Sequence, residues 1–337
     1  MEPPVAVEVW RGARIESRHS VHACVATPAG AVVHALGDVA AEVYPRSSLK
    51  PFQALALVES GAADAFGLGE AEIALACASH NGEPMHVERV ERWLAALGLN
   101  VDALACGGQL PGHPPAAAAL LRAGQEPRRS HDNCSGKHTG MLTVVRHLGL
   151  AVEGYTDPAH PLQARIAAGV AELAGLDALP APGTDGCSAP IWPLPLRALA
   201  TATARLAAPS HLAPARRAAL ERIAAAMRRH PELVAGTGRC CTLLMRELPE
   251  VTVKTGAEGV FIAALHGLGL GLALKVVDGA TRAAEVALLA CLGALGVLPT
   301  EPGETLRRLA LPAILSRRGE VVGRIAPAPG WPRFAHA

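Results

Sequence analysis

Strand-like segments at both ends of the chain, with a helical middle between them, are what most restricts the fold. Val5 to Trp10, Ser20 to Thr27 and Ala31 to Leu36 are rich in Val and Ala with partial alternation, and Arg11-Gly12 and Thr27-Pro28-Ala29-Gly30 supply turns. Strands return as Val251 to Lys254, Gly259 to Leu265 and Leu270 to Val277, separated by Gly-containing turns as in an antiparallel meander. A helix is predicted from Ala280 to Leu295. Between the two strand regions, Glu70 to Ala78, Val87 to Leu97, Ala116 to Leu121, Leu162 to Leu173 and Ala213 to Met227 show helical spacing. Pro and Gly clusters separate these helices, and none is long enough to act as a flexible linker. A sheet assembled from the two ends, flanked by helices and accompanied by a helical subdomain, is an α+β fold. The expected organisation is a single catalytic unit over residues 1–337. Its sheet-containing part lies near 1–60 and 240–330, and its helical part near 61–239.

Half of the 337 residues are apolar, enough to bury a core without staples. With 31 Lys plus Arg against 30 Asp plus Glu, the net charge of +1 leaves no electrostatic footprint for nucleic acid or an anionic membrane. The N-terminal MEPPVAVEVW has no basic region and no long apolar stretch, so a secretory signal is not expected. The most apolar run, Val260 to Leu274, is broken by His266, Gly267, Gly269 and Gly271 and is shorter than a membrane span. A cytoplasmic protein with no membrane partner is the expectation, and there eight cysteines stay reduced. They point to metal or catalytic chemistry more than to a disulfide framework. Cys24, Cys106 and Cys291 read as small buried hydrophobes.

Three short motifs carry nucleophile chemistry. Ser47-Ser48-Leu49-Lys50 contains S-x-x-K, Ser79-His80-Asn81 is S-x-N, and Lys254-Thr255-Gly256 is K-T-G on a predicted strand. In that order they resemble the motif set of serine β-lactamases and penicillin-binding proteins, whose architecture also has a sheet built from both chain ends. Residues three apart share a helix face, so the Lys50 amine would reach the Ser47 hydroxyl one turn earlier. A serine needs an adjacent base, and a lysine desolvated by burial can supply one. Lys254 would serve Ser79 in the same way, or hold substrate charge. The first two motifs lie closer together than in a β-lactamase, which indicates a relative of that fold rather than the antibiotic-hydrolysing enzyme.

The densest polar stretch is His131-Asp132-Asn133-Cys134-Ser135-Gly136-Lys137-His138, followed downstream by Asp185-Gly186-Cys187-Ser188. Two soft thiolates with a nitrogen or oxygen donor suit Zn²⁺, and in a helix Cys134 and Lys137 would share a face. The alternative is a plain helix N-terminus capped by Asn133 or Ser135. His131, Asp132 and His138 would also be placed to touch a substrate.

Taken together, Arg46 to Gln53, Cys77 to Glu83, Asp132 to Gly140, Asp185 to Pro190, Ala235 to Arg239 and Lys254 to Gly259 resemble the Rhizobium-type (class 3) L-asparaginase family. The resemblance implies hydrolysis of L-asparagine to L-aspartate and ammonia by a homodimer, on a fold similar to serine β-lactamases and glutaminases. It implies the serine-lysine pairs Ser47 with Lys50 and Ser79 with Lys254, and zinc ligands Cys134, Lys137 and Cys187. Arg46, His138 and Asp185 match polar residues around substrate and metal. His80, Asn81, Gly82, Asp132 and Gly256 complete the expected substrate-binding set. The metal is expected to assist substrate binding, not to activate water. One departure is visible: Cys240, Cys241 and Thr242 follow Arg239 where many members have an aromatic residue, Asp and Thr. The two cysteines read as packing residues. The expected chemistry is acyl transfer to Ser47 or Ser79, with backbone N–H groups, including that of the nucleophile, on the oxyanion. A glutaminase or broader serine amidase, and a zinc-containing asparagine-binding module without turnover, remain alternatives.

Overall fold

The strands read at the two ends of the chain join in one sheet. The computed structural model describes residues 2–334. Among them, an antiparallel sheet takes the order Ala313–Leu315, Val321–Pro327, Val5–Arg11, Arg14–Ala26, Leu270–Val276, Val260–Leu265, Val251–Gly256, with Val32–Leu36 also paired to Arg14–Ala26. The register places Val9 opposite Ile325 and Cys24 opposite Ala273. The α+β class is therefore the one this chain adopts.

Arg14–Ala26 holds the sheet together. Its first half pairs with Val5–Arg11, and its second half with Leu270–Val276 and Val32–Leu36. The expected strand began only at Ser20. Arg14 to His19 alternates charged and polar residues with little apolar signal, and it is recruited by pairing with its neighbour, not by its own pattern. By contrast, every residue of Val251–Gly256 and Val260–Leu265 is buried. Strands covered on both faces read as continuous apolar runs, as Val260–Leu265 does, whereas Val251–Gly256 buries Thr252, Lys254 and Thr255 among its apolar residues.

The chain divides into two units. The sheet-containing unit runs to Ser48, resumes for Leu194–Ala208, and continues from Leu243. Within it, helices Leu196–Ala207 and Thr281–Ala294 pack against the sheet. The first of these, and the strands Ala313–Leu315 and Val321–Pro327, are absent from the expected elements. LRALATATARLA carries a strong helical periodicity that its run of alternating Ala and Thr concealed. Thr201 and Thr203 donate to the carbonyls of Arg197 and Leu199, keeping their hydroxyls bonded inside the helix. A Cβ at Gly271 would meet Ala204 N at 2.1 Å, so strand and helix backbones approach there as only glycine allows.

The helical unit comprises Leu49–Pro193 and Pro209–Thr242. Pro84–Ala96, Pro114–Arg122, Pro161–Ala174 and Pro214–Arg229 each begin on proline, whose missing N–H and fixed φ suit the first helical position. Helix Ser135–His147 runs through the unit's core and is buried from Ser135 to Val145. A helix surrounded on all sides has no clear apolar stripe, which is why the sequence left it open between helix and loop. No helix among the described residues is long and apolar enough to cross a membrane.

Candidate functional site

Within the helical unit, the α-helix Lys50–Gln53 starts at the motif lysine itself. Arg46–Leu49 ahead of it forms a 3₁₀ turn, with Arg46 at φ 53°. Lys50 is fully buried and donates to two groups: the Ala78 carbonyl at 2.5 Å and Ser79 Oγ at 2.9 Å. The S-x-x-K lysine thus meets the second motif's serine, which the resemblance had paired with Lys254. Helix Glu70–Ala76 delivers that serine, its chain turning out through Cys77 and Ala78. The Ser79 N–H is bound to the Val234 carbonyl at 2.8 Å, so it is not available to an oxyanion on Ser79, contrary to the expectation for a nucleophile's own amide.

The turn after Ser79 is fixed by two stacked imidazoles, His80 and His86, with ring centroids 4.6 Å apart. His80 Nδ1 accepts the Gly82 N–H at 3.1 Å, and His86 Nδ1 accepts the Glu83 N–H at 3.1 Å. Each ring therefore keeps its proton on Nε2, donated by His80 to Ser135 Oγ and by His86 to the Glu232 carbonyl, both at 2.9 Å. Gly82 sits at φ 69°, and a Cβ there would meet the His131 carbonyl at 2.9 Å, so only glycine fits.

Helix Ser135–His147 contributes the second cluster. Asp132 Oδ1 accepts the Cys134 N–H at 2.7 Å and so satisfies one of the helix's first amides. Burial raises the Asp132 carboxyl pKa, against the opposing pull of that N–H and of the Lys50 charge. Lys137 Nζ lies 3.0 Å from Cys187 Sγ. Cys187 is delivered by the tight turn Asp185–Ser188, in which Asp185 Oδ1 accepts the Gly186 N–H at 2.8 Å and Ser188 takes φ 68°. The Cys134 thiol donates to Cys187, which holds the Cys187 thiol well below its ordinary pKa, with help from Lys137 and His138 against desolvation. Desolvation lowers the Lys137 pKa, but the Cys187 and Cys134 sulfurs outweigh it and leave it raised.

His138 is fully buried, and burial depresses its pKa. Tyr155 OH accepts the Ala105 N–H at 2.9 Å and donates to His138 Nδ1 at 2.7 Å. The ring proton is then on Nε2, which is buried beside Cys187. Cys134, Lys137 and Cys187 therefore lie together. Among the described residues, no group of three or more His, Cys, Asp or Glu side chains is arranged to hold a metal.

Arg46, Ser47, Lys254 and Gly256 belong to the sheet-containing unit. There Ser48 Oγ donates to the Pro45 carbonyl at 2.7 Å, and buried Lys254 donates to the Thr255 carbonyl at 3.0 Å. A Cβ at Gly256 would meet the Pro45 carbonyl at 2.4 Å, so the K-T-G strand runs flush with the segment ahead of Ser47. Cys240 and Cys241 are buried. Burial pushes the Cys24 and Cys106 thiols up to about 12 and raises Cys291 further, as inert interior thiols require.

Several residues of this constellation carried no separate assignment: His86, Tyr155, Ser135, Glu83, Thr237 and Arg239. Glu83 and Arg239 stand inside the motif blocks, so their presence was legible but not their task. Tyr155 lies in a loop with no periodic or motif signal. It is one of only two tyrosines in the chain, which is the one hint the sequence offered.

The profile of the family described as L-asparaginase II matches residues 7–327. Solved structures similar to the chain include Mglu in its native form, at 16% identity and TM-score 0.44, covering 84% of this chain and 66% of that one. Another is a β-lactamase from Mycobacterium bovis, at 18% identity and TM-score 0.44, covering 82% and 95%. The chain thus spans just under two thirds of the length of Mglu. No curated protein matches it.

Proposed function

Because the chain belongs to the L-asparaginase II family, we propose that it hydrolyses L-asparagine to L-aspartate and ammonia by acyl transfer through Ser79, with Lys50 as the base. The observation that carries this reading is the buried contact of 2.9 Å between Lys50 Nζ and Ser79 Oγ. A neutral lysine amine in that position can take the hydroxyl proton while still donating to the Ala78 carbonyl. Ser79 Oγ attacks the side-chain amide carbon as its proton passes to Lys50 Nζ. The same proton then goes to the departing nitrogen, ammonia leaves, and a β-aspartyl ester remains on Ser79. Water hydrolyses that ester, releasing L-aspartate and restoring the serine. With the Ser79 N–H committed to Val234, the oxyanion is held by other donors.

Zinc belongs to the same proposal, held by Cys134, Lys137 and Cys187. Two buried soft sulfurs beside an amine fit that ion. When bound, the ion would supply positive charge that favours substrate binding. Its binding would displace the Cys134 thiol proton and the extra proton of Lys137 to solvent. His138 and Asp132, held by Tyr155 and the Cys134 amide, would orient the substrate around it. A cytoplasmic homodimer is the further expectation, and sedimentation of the purified protein checks the dimer.

The test is ammonia release from L-asparagine by the purified protein beside Ser47→Ala and Ser79→Ala, with L-glutamine as control. Turnover that Ser79→Ala abolishes, with a β-aspartyl ester found by mass spectrometry on Ser79, supports the assignment. The ester on Ser47 would move the nucleophile there. Equal turnover of glutamine would broaden the substrate class. Tight asparagine binding without ammonia would point to the binding-module alternative.

A further inference from the structure

In the helical unit, Arg89 pairs with Glu72, Arg128 with Glu91, Arg216 with Glu172 and Arg222 with Asp64, at 2.5–3.1 Å. Arg122, Arg129, Arg146, Arg165 and Arg217 lie exposed in water. Arg239 is neither paired with a carboxylate nor exposed. Among the described residues it has no carboxylate within 4.0 Å, and its guanidinium Nη1 donates to the neutral Asn81 Oδ1 at 2.9 Å. It is half-buried, so water screens its charge less than at the surface, and most of its fork of N–H donors is left for another acceptor.

The surroundings hold that guanidinium in place and leave its charge unmatched. The amide of Asn81 is bonded at both ends, its Nδ2 donating to the Thr237 carbonyl at 3.3 Å while Oδ1 takes Arg239. Glu83 is the carboxylate closest in chain to Asn81, but its oxygens are occupied by the Thr237 N–H at 2.8 Å and the Thr237 hydroxyl at 2.7 Å. The two segments lie flush: a Cβ at Gly236 would meet Asn81 Nδ2 at 2.6 Å and Glu83 Oε1 at 2.7 Å. Glu83 therefore ties down the Thr237 loop and does not neutralise Arg239. Asn81 follows Ser79 by two residues, a span of at most about 7 Å. The cation is therefore anchored to the same short segment that carries Ser79.

We propose that Arg239 binds the α-carboxylate of the substrate and makes the site specific for amino acids over simple amides. This rests on the amidohydrolase reading above. A planar guanidinium pre-set by Asn81 suits a bidentate contact with a carboxylate, and a substrate lacking that group gains nothing from it. Arg239 is a specificity residue: it grips the part of the substrate that does not react.

The experiment crosses two variants with two substrates. Arg239→Gln keeps an amide N–H for Asn81 and removes the charge. Arg239→Lys keeps the charge and removes the fork. The substrates are L-asparagine and 3-aminopropanamide, which is asparagine without its α-carboxylate. Arg239→Gln is expected to raise KM for L-asparagine by about 10- to 100-fold, the range for losing a charged hydrogen-bonded contact. Its kcat for L-asparagine, and its kcat/KM for 3-aminopropanamide, should stay within about threefold of wild type, by the same contact-loss logic. Arg239→Lys should recover part of the lost affinity. An equal loss on both substrates would overturn the proposal, because it would show a purely structural role, and so would an unchanged KM for L-asparagine. If the wild type does not turn over L-asparagine, the amidohydrolase reading fails by itself. Calorimetric binding of L-aspartate and β-alanine then decides the Arg239 assignment. Weaker binding of L-aspartate alone in Arg239→Gln supports it, and equal effects on both, or no L-aspartate binding by the wild type, overturn it.

Discussion

Gly136 stands in the first turn of helix Ser135–His147, where helix propensity by itself says that alanine should stabilise the protein by about 1 kcal/mol. The structure predicts the opposite. A Cβ at Gly136 would lie 2.2 Å from the Leu75 carbonyl oxygen and 2.7 Å from Leu75 Cγ, while ordinary Cβ contacts begin at 3.4 Å. The two helices would have to part by about the difference, 3.4 minus 2.2, or 1.2 Å. The obstacle is backbone and has no rotamer to escape into. Overpacking of this kind costs about 1–3 kcal/mol or more. Because both partners are rigid, a net destabilisation of about 2 kcal/mol remains after the propensity gain. For a chain of this size that is a fall in Tm of roughly 3 °C. The effect should also reach the chemistry. The Leu75 carbonyl accepts the Ala78 N–H at 3.1 Å, and the Ala78 carbonyl accepts from Lys50 at 2.5 Å. Gly140→Ala is the control on the same helix, since its Cβ would meet only side chains, at 3.2 Å or more. It should leave stability within about 1 kcal/mol of wild type, the small clash offset by helix propensity. Calorimetric Tm and ammonia release are measured for both variants. A Gly136→Ala protein as stable as wild type would refute the close-approach argument. A destabilised one with unchanged kcat would refute the link through Leu75 and Ala78 to Lys50.

Lys50→Met keeps the apolar stem and removes the amine from Ser79, so ammonia release should fall by a factor of about 10³ or more if the base is lost, with Tm little changed; retained turnover would exclude Lys50 as the base. His86 is held neutral by burial, its pKa lowered from 6.5. The unfolded chain therefore binds its proton first, and stability is fully present above pH 6.5 and lost as pH falls through the depressed folded value. Between those limits this histidine contributes a slope of about 1.4 kcal/mol per pH unit, and urea midpoints from pH 8 to 5 that do not move in wild type, or that still move equally in His86→Phe, would contradict it. Cys187→Ser should lower retained zinc after dialysis by at least about tenfold, since it removes one of two sulfurs from the set, and full retention would place the metal elsewhere.

The sequence by itself determined the class of the fold, with strands from both ends of the chain around a helical middle, and the chemistry of the motif blocks. Continuous apolar runs such as Val260 to Leu265 can be satisfied only between covered faces, and prolines such as Pro84 and Pro161 mark helix starts because a proline lacks the N–H that position does not use. Cys134, Lys137 and Cys187 were legible as one set only through the family resemblance of their blocks, since residue types and spacing alone left a capped helix start open. The partner of Lys50 was not legible. S-x-x-K suggests a pair one helical turn apart, but the α-helix begins only at Lys50, and long-range packing puts Ser79 against its amine. The stacked histidines, the Tyr155 hydroxyl on His138 and the uncompensated Arg239 belong to the same category. Each depends on residues distant in sequence meeting at hydrogen-bond range, and that proximity is decided by how helices and turns pack, with no trace in local spacing.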